Sequence, residues 1–152
     1  MVVLTISTTK LFLAEISLGH YNFHRWTSKS AENYSVNLVL SDTYPISKGM
    51  LPASTSNLSA IWIVRTDSGK MLRAFSKKYC NTIKEIVSGL PNNVETINLY
   101  STINPKHSLW IANNVFKMAG RSQVKVLKVY PQPNKNGNWN FAEKGIAIYD
   151  EQ

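Results

Sequence analysis

The side chains with the chemistry to cleave bonds or hold metal ions are few in this sequence. His20 and His24 stand at i and i+4, the spacing with which a helix presents half of a zinc site, and His107 is the only other histidine. A complete site would need carboxylates from elsewhere, so the spacing favours packing or surface roles for these histidines. Cys80 is the single cysteine; it has no partner for an internal disulfide, and its expected role is that of a small buried apolar residue.

Two carboxylates stand beside predicted elements. Asp42 follows the apolar run at 34–40, where Asp serves equally well as a turn residue or as a ligand at a strand end. Glu85 stands three residues after Thr82 in the T-x-x-E spacing of a capping box, which predicts a helix start. Two residues along a helix rotate a side chain by about 200°, so Glu85 points away from the apolar face that Ile83 marks. This position favours capping but leaves metal binding open.

Basic charge is concentrated in one part of the sequence. The 152 residues are enough for one domain with its own core, and they carry a net charge of +8. No acid lies between Thr96 and Ala142, a span with six basic residues. A field of one sign attracts polyanions, so nucleic acid is the predicted partner. The first candidates for phosphate contacts are Lys106, Lys117, Arg121 and Lys128.

The sequence also carries expectations about the compartment. Polar residues interrupt the apolar N-terminal stretch, so it does not read as a signal peptide. No run approaches the roughly 18 to 20 apolar residues of a membrane span. With its lone cysteine, the chain is expected to be intracellular and to have no membrane partner.

Apolar periodicity and turn residues predict the order of the elements. Val2–Ser7 reads as a strand, whereas Lys10–Leu18 fits strand and helix periods equally poorly. The next elements are a strand at Tyr34–Leu40, a hairpin of Ser59–Val64 and Lys70–Ser76 around Gly69, a helix from Thr82 and a strand at Val94–Tyr100. A second helix runs from Pro105 to about Ala119, and its expected inward residues are Leu109, Ala112, Val115 or Phe116, and Ala119. A strand at Val124–Tyr130 and a closing helix from about Ala142 complete the order. The fold class is therefore α/β, with a mixed sheet of about five strands, an antiparallel opening hairpin and flanking helices. Residues 1–33 are expected to form an N-terminal extension and residues 34–152 the domain.

This order of elements resembles the type 1 ribonuclease H fold of retroviral and retrotransposon polymerases. The resemblance covers the chain from Tyr34 onward and includes VNLVLSD, the hairpin IWIVRTDSGKML, the helix start NTIKE and the closing segment with Gly137-Asn138 and Ala142-Glu143. It implies a ribonuclease H-like domain that binds RNA–DNA hybrid within a larger polymerase or replication assembly.

The same resemblance implies a metal site. In that family, carboxylates hold two divalent ions, Mg²⁺ or Mn²⁺, and the matching residues here are Asp42, Glu85 and Glu143. They would be both the metal ligands and the catalytic residues. The fourth ligand would fall at Ser101 or Thr102, and a hydroxyl cannot replace an anionic ligand. Cleavage is therefore expected to be impaired or lost.

Three alternatives stay open. An active ribonuclease H would need Asp67 or Asp150 as the missing ligand. A small α/β protein-interaction module would dock its partner through aromatic patches at Tyr21–Trp26 and Trp139–Phe141. A metal-independent nuclease built on the three histidines has no supporting constellation and ranks last.

Overall fold

The computed structural model describes residues 2–8, 10–16, 34–65, 74–117, 124–133 and 136–150. The strands are β1 (Val2–Thr8), β2 (Lys10–Ile16), β3 (Tyr34–Ser41), β4 (Ala60–Val64), β5 (Val94–Ser101), β6 (Val126–Val129) and β7 (Ile146–Asp150). The helices are α1 (Lys77–Ser88) and α2 (Pro105–Ile111), and α2 continues as a π-helical turn at Ala112–Phe116. A short 3₁₀ helix lies at Lys48–Met50.

All these strands belong to one mixed sheet in the order β2-β1-β4-β3-β5-β6-β7. Its centre, β4-β3-β5-β6, is parallel, and β1, β2 and β7 are added antiparallel at the two sides. The predicted α/β class and mixed sheet are therefore confirmed, and the chain from Tyr34 onward supplies five strands and two helices. The division into an extension and a domain stays a prediction, although β1 lies beside β4 in the same sheet.

The connections between parallel strands lie on both faces of the sheet. The step from β3 to β4 runs in one direction across the sheet, and the steps through α1 and α2 run in the other. Crossovers are nearly always right-handed, so opposite directions place them on opposite faces. The two helices accordingly contact each other on one face, and the segment 42–59 packs against the other.

Each face of the sheet has its own apolar core. On the helical face, Val36, Leu38 and Leu40 of β3 pack with α1 and α2. On the other face, Val39 and Tyr100 pack with residues of the segment 42–59 and of the chain after β6, which include Ile46, Leu51, Tyr130 and Phe141. Because both faces are covered, the central strands are mostly apolar, as parallel strands usually are, and the buried Asn37 and Asn98 side chains hydrogen-bond to each other.

Helix α1 begins earlier than the capping box predicts. Ser76 is its N-cap, and the Ser76 hydroxyl accepts a hydrogen bond from the Tyr79 amide. Thr82 instead lies inside the helix and donates its hydroxyl to the Lys78 carbonyl at 3.0 Å. The predicted start at Thr82 is wrong because burial of Tyr79 and Cys80 on the sheet extends the helix by a turn.

Helix α2 begins where the sequence predicts it. Asn104 is the N-cap and Pro105 occupies the first turn. The buried side chains after that are His107, Ile111, Val115 and Phe116. The predicted inward set is wrong at Leu109 and Ala112, which are exposed, because the buried positions follow His107 in steps of four.

Two further predictions about the sheet are wrong. A strand has two hydrogen-bonding edges, and β4 uses both for β1 and β3. No edge is left for a hairpin with Lys70–Ser76, of which 70–73 lies outside the described residues and Ser76 caps α1. The closing segment forms β7 instead of a helix, because the β-branched residues Ile146 and Ile148 extend along β6.

Candidate functional site

The order of the parallel strands reverses between β3 and β5. Open α/β sheets bind their ligands beyond the carboxyl ends of the strands at such a reversal. Asp42 directly follows β3, Arg65 directly follows β4, and Asn104 and His107 stand at the start of α2 after β5. These four residues, called here the Asp42 cluster, meet at that edge of the sheet.

Both oxygens of the Asp42 carboxylate accept hydrogen bonds inside the protein. Oδ1 accepts from Arg65 Nη1 at 3.0 Å, and both side chains are almost completely buried. Oδ2 accepts from the backbone amide and the Nδ2 of Asn104, each at 3.0 Å, and from His107 Nδ1 at 2.6 Å. The carboxylate therefore links three strand ends and the start of α2.

The hydrogen bonds of His107 fix its tautomer. Nε2 accepts a hydrogen bond from the Ser76 amide at 2.8 Å, so it carries no proton, and Nδ1 carries the proton donated to Asp42. Asn104 Nδ2 lies 2.9 Å from His107 Nδ1 because both groups donate to the same carboxylate oxygen. His107 is thus a neutral, fully buried imidazole that joins the N-cap of α1 to the start of α2.

Neighbouring polar groups connect the same edge of the sheet. Thr102 donates its hydroxyl to the Tyr44 carbonyl at 2.6 Å, and its own carbonyl accepts from the Thr43 amide at 3.1 Å. The Tyr79 hydroxyl reaches from α1 to the Ser41 carbonyl at 3.2 Å. These bonds hold the loop after β3 to β5 and to the helical layer.

Cys80 lies in the helical core, close enough to the Asp42 cluster for the charges of Asp42 and Arg65 to affect the pKa of its thiol. Burial is the main cause that raises the pKa of its thiol from 9.0 to about 11; the negative charge of Asp42 contributes in the same direction, and the positive charge of Arg65 acts against it. The buried apolar role predicted for Cys80 agrees with this position. A thiol with a raised pKa is a poor nucleophile at neutral pH.

The Asp–His pair resembles part of a catalytic triad, but its geometry serves a structural role. A general base needs a free ring nitrogen within reach of a substrate proton. In His107 that nitrogen already accepts the Ser76 amide, and the ring is buried. The cluster therefore fixes the positions of α1, α2 and the loop after β3 rather than presenting a base to a substrate.

The three predicted metal ligands occupy different parts of the molecule. Asp42 is buried in its cluster, and Glu85 is exposed on the outer side of α1. Glu143 is exposed in the segment after Phe141, which packs on the opposite face of the sheet from α1. Within the described part of the chain, no three His, Cys, Asp or Glu side chains form a group that could hold a metal ion.

The predicted phosphate contacts do not share one surface. Lys106 and Lys117 are exposed at the two ends of the α2 region. Lys128 alternates along β6 with Leu127 and Val129, which pack in the helical core, so its side chain lies on the other face. Arg121 lies outside the described residues.

The residues of the alternative predictions are only partly described. The Tyr21–Trp26 patch, His20, His24 and Asp67 lie outside the described residues, as does the side chain of Asp150. In the second aromatic patch, Phe141 is buried in the core, whereas Trp139 is 45% exposed and lies 5.9 Å from the Tyr44 ring.

Comparison with known proteins identifies the family. One family model matches residues 22–146, and its description is SMODS- and Ubiquitin system-associated 2TM effector domain, SUa-2TM. The chain belongs to the SUa-2TM family. The matched span contains the whole Asp42 cluster and the parallel core of the sheet. A search of curated proteins and a search of solved structures each found no match.

This membership overturns the ribonuclease H resemblance. The resemblance depended on an opening hairpin, and the structure instead has β3 and β4 parallel with both edges of β4 occupied. The predictions of RNA–DNA hybrid binding and of a link to reverse transcriptase are wrong because the chain belongs to a different family. The alternative of an active ribonuclease H is wrong for that reason too. The expectation of Mg²⁺ or Mn²⁺ loses the resemblance on which it depended.

The family description refers to two transmembrane segments. Across the residues that the structure describes, no helix has both the length and the apolar character needed to cross a bilayer. Within the matched span the structure describes β3 to β6 and the two helices.

Arg65, Asn104 and the role of His107 were missed at the level of sequence. Asn104 simply precedes the predicted helix that begins at Pro105, and Arg65 simply follows an apolar run. The available signal was shared position: each polar residue comes directly after a predicted strand or opens the helix that follows one. Because 65 positions separate Asp42 from His107, no local spacing connects them.

Proposed function

We propose that this chain is the effector domain of a system that includes SMODS and ubiquitin-system proteins, and that it works beside a membrane. The observation that carries the proposal is the family match over residues 22–146. The description of that family names the associated systems, the effector role and two transmembrane segments. A domain connected to such segments would stand close to the bilayer surface.

The Asp42 cluster supports an effector that acts through its folded surface rather than through chemistry at this edge. The acceptor atoms of Asp42 and His107 are occupied by protein donors. Such a network holds the ends of three strands and the starts of two helices in fixed positions. The surface formed by those helices is then a rigid element that another molecule can contact.

A growth experiment tests the proposed role. The chain is expressed in its host with the associated SMODS and ubiquitin-system genes intact or deleted, and growth is measured after induction. We expect a change in growth that requires at least one of those genes. Glu95→Gln, which affects only a partly exposed ion pair with Lys125, should retain the effect and serves as the control for expression. The same growth curve in the intact and the deleted strains would contradict the proposal.

A further inference from the structure

The outer side of the helical layer carries charge of nearly one sign. We call it the basic helical face; its cations are Lys77, Lys78, Lys84, Lys106 and Lys117, all exposed. Glu85 is the one acid on the described outer surfaces of α1, α2 and the π-helical turn. Among the described residues, none of the five lysines takes part in an ion pair. Their charge is therefore available to a partner.

Three of these lysines stand where helix stability disfavours them. Lys77 and Lys78 occupy the first turn of α1, and Lys106 occupies the first turn of α2. The N-terminal end of a helix carries partial positive charge, and neither first turn contains an acid to offset it. Stability alone favours Asp or Glu at these positions, so the lysines point to a role in binding an anionic surface.

Exposed apolar side chains accompany the lysines. Leu109 follows Lys106 by three residues on α2 and is 67% exposed. Phe75 directly precedes the N-cap of α1, is 43% exposed, and its ring lies 5.3 Å from the His107 ring. Large apolar groups therefore project beside the cations at the starts of both helices.

We infer that the basic helical face lies against an anionic membrane surface. Lysines attracted to anionic headgroups, beside apolar side chains that enter the headgroup region, characterise protein surfaces that bind at the bilayer interface. A polyanion such as nucleic acid gives no role to an aliphatic side chain like Leu109. The inference rests on the proposed membrane setting of the domain and adds which face is turned to the bilayer.

The size of the effect follows from the number of lysines in contact. A lysine close to an anionic leaflet strengthens binding about fivefold. Neutralising Lys84 and Lys106, one on each helix, should therefore weaken binding about 25-fold. Neutralising Lys48 and Lys144 changes the net charge equally, but these exposed lysines flank the core on the opposite face, so binding should change less than about twofold.

Vesicle co-sedimentation of the 152-residue chain tests the inference. Vesicles of phosphatidylcholine with about 30% phosphatidylserine are compared with vesicles of phosphatidylcholine alone, at low and high salt. We expect binding to the anionic vesicles only, weakened by salt. The double variant Lys84→Gln/Lys106→Gln should lose about 25-fold, the control Lys48→Gln/Lys144→Gln should bind like the original chain, and Leu109→Gln should weaken binding without changing the charge.

Any one of the following results would overturn the inference. Equal losses in the two double variants would show that net charge alone drives binding. Equal binding to neutral vesicles, or none to anionic ones, would exclude the anionic surface. The chain could bind a DNA duplex or polyglutamate as tightly as it binds the anionic vesicles, with the same affinity in the Leu109→Gln variant. That result would identify a different class of partner. A growth effect that persists in the Lys84→Gln/Lys106→Gln variant would leave the effector role standing while the membrane-facing role fails.

Discussion

Replacing Asp42 by Asn exchanges one oxygen for an amino group and removes one negative charge from the centre of the Asp42 cluster. Whichever way the amide is turned, its NH₂ faces a donor. Facing Arg65, it opposes the guanidinium; facing the other way, it opposes three N–H groups from Asn104 and His107. No rotamer of Asn can satisfy both sides.

The structure sets the size of the loss. Removing one partner from a buried ion pair costs about 3–5 kcal/mol, because the remaining charge stays buried away from water. Both side chains of the Asp42–Arg65 pair are buried, so the full range applies. For a chain of this length each kcal/mol corresponds to roughly 2–4 °C in Tm, so Asp42→Asn should lower Tm by about 6–20 °C.

Urea denaturation followed by tryptophan fluorescence and far-UV circular dichroism directly measures this loss in the free energy of unfolding. The matched control is Glu95→Gln, the same acid-to-amide change in the Glu95–Lys125 pair, whose side chains are 24% and 54% exposed. A surface pair contributes at most about 1 kcal/mol, so the control should stay within that limit. If the two variants shift the free energy of unfolding equally, the buried network does not hold this edge of the sheet.

Three further predictions follow from the packing. Because burial and Asp42 raise the pKa of Cys80 to about 11, its thiol should react slowly with a thiol reagent at pH 8 in the folded protein and rapidly in the chain unfolded by urea; equal rates in the two states would refute this. The thiolate forms at lower pH in the unfolded chain than in the folded protein, so the free energy of unfolding should fall as pH rises from about 9 to about 11. Gly145→Ala should cost about 1–3 kcal/mol in a urea titration, because the new methyl group would lie 2.7 Å from the buried Tyr130 ring, and an unchanged midpoint would show that the ring moves freely. Leu109→Ala should change the free energy of unfolding by less than about 0.5 kcal/mol because Leu109 is exposed, whereas Ile111→Ala should cost about 2–5 kcal/mol because Ile111 is buried. The opposite ranking would show that Leu109, as the sequence predicts, packs inward.

Elements defined by local signals were predictable from the sequence. The apolar runs of β3, β4 and β5 and the Asn104-Pro105 start of α2 contain their own evidence, and the structure confirms them. The local signal at Thr82 predicted too late a start for α1, because the buried contacts of Tyr79 and Cys80 extend the helix back to its N-cap at Ser76. Tertiary contacts of this kind leave no local trace in the sequence.

Strand pairing was the part that local signals misjudged. A Gly turn between two apolar runs predicts a hairpin only if the first strand has a free edge, and β1 occupies that edge of β4 from more than 50 residues away. The closing segment had helix-forming residues around Ala142, yet pairing with β6 made Ile146–Asp150 a strand. Both errors came from long-range pairing, and together they produced the ribonuclease H resemblance.

Hydrogen bonds of His107 connect the Asp42 cluster to the basic helical face. The Ser76 amide donates to His107 Nε2 at 2.8 Å, and Ser76 caps the helix that begins with Lys77. The same imidazole holds the start of α2 beside Asp42, directly after Lys106. The buried carboxylate therefore sets the separation of the two helix starts that carry the exposed lysines. A protein that presents cations at helix ends, against the helix dipole, needs compensating interactions within the fold, and the hydrogen bonds of this cluster provide them at that position.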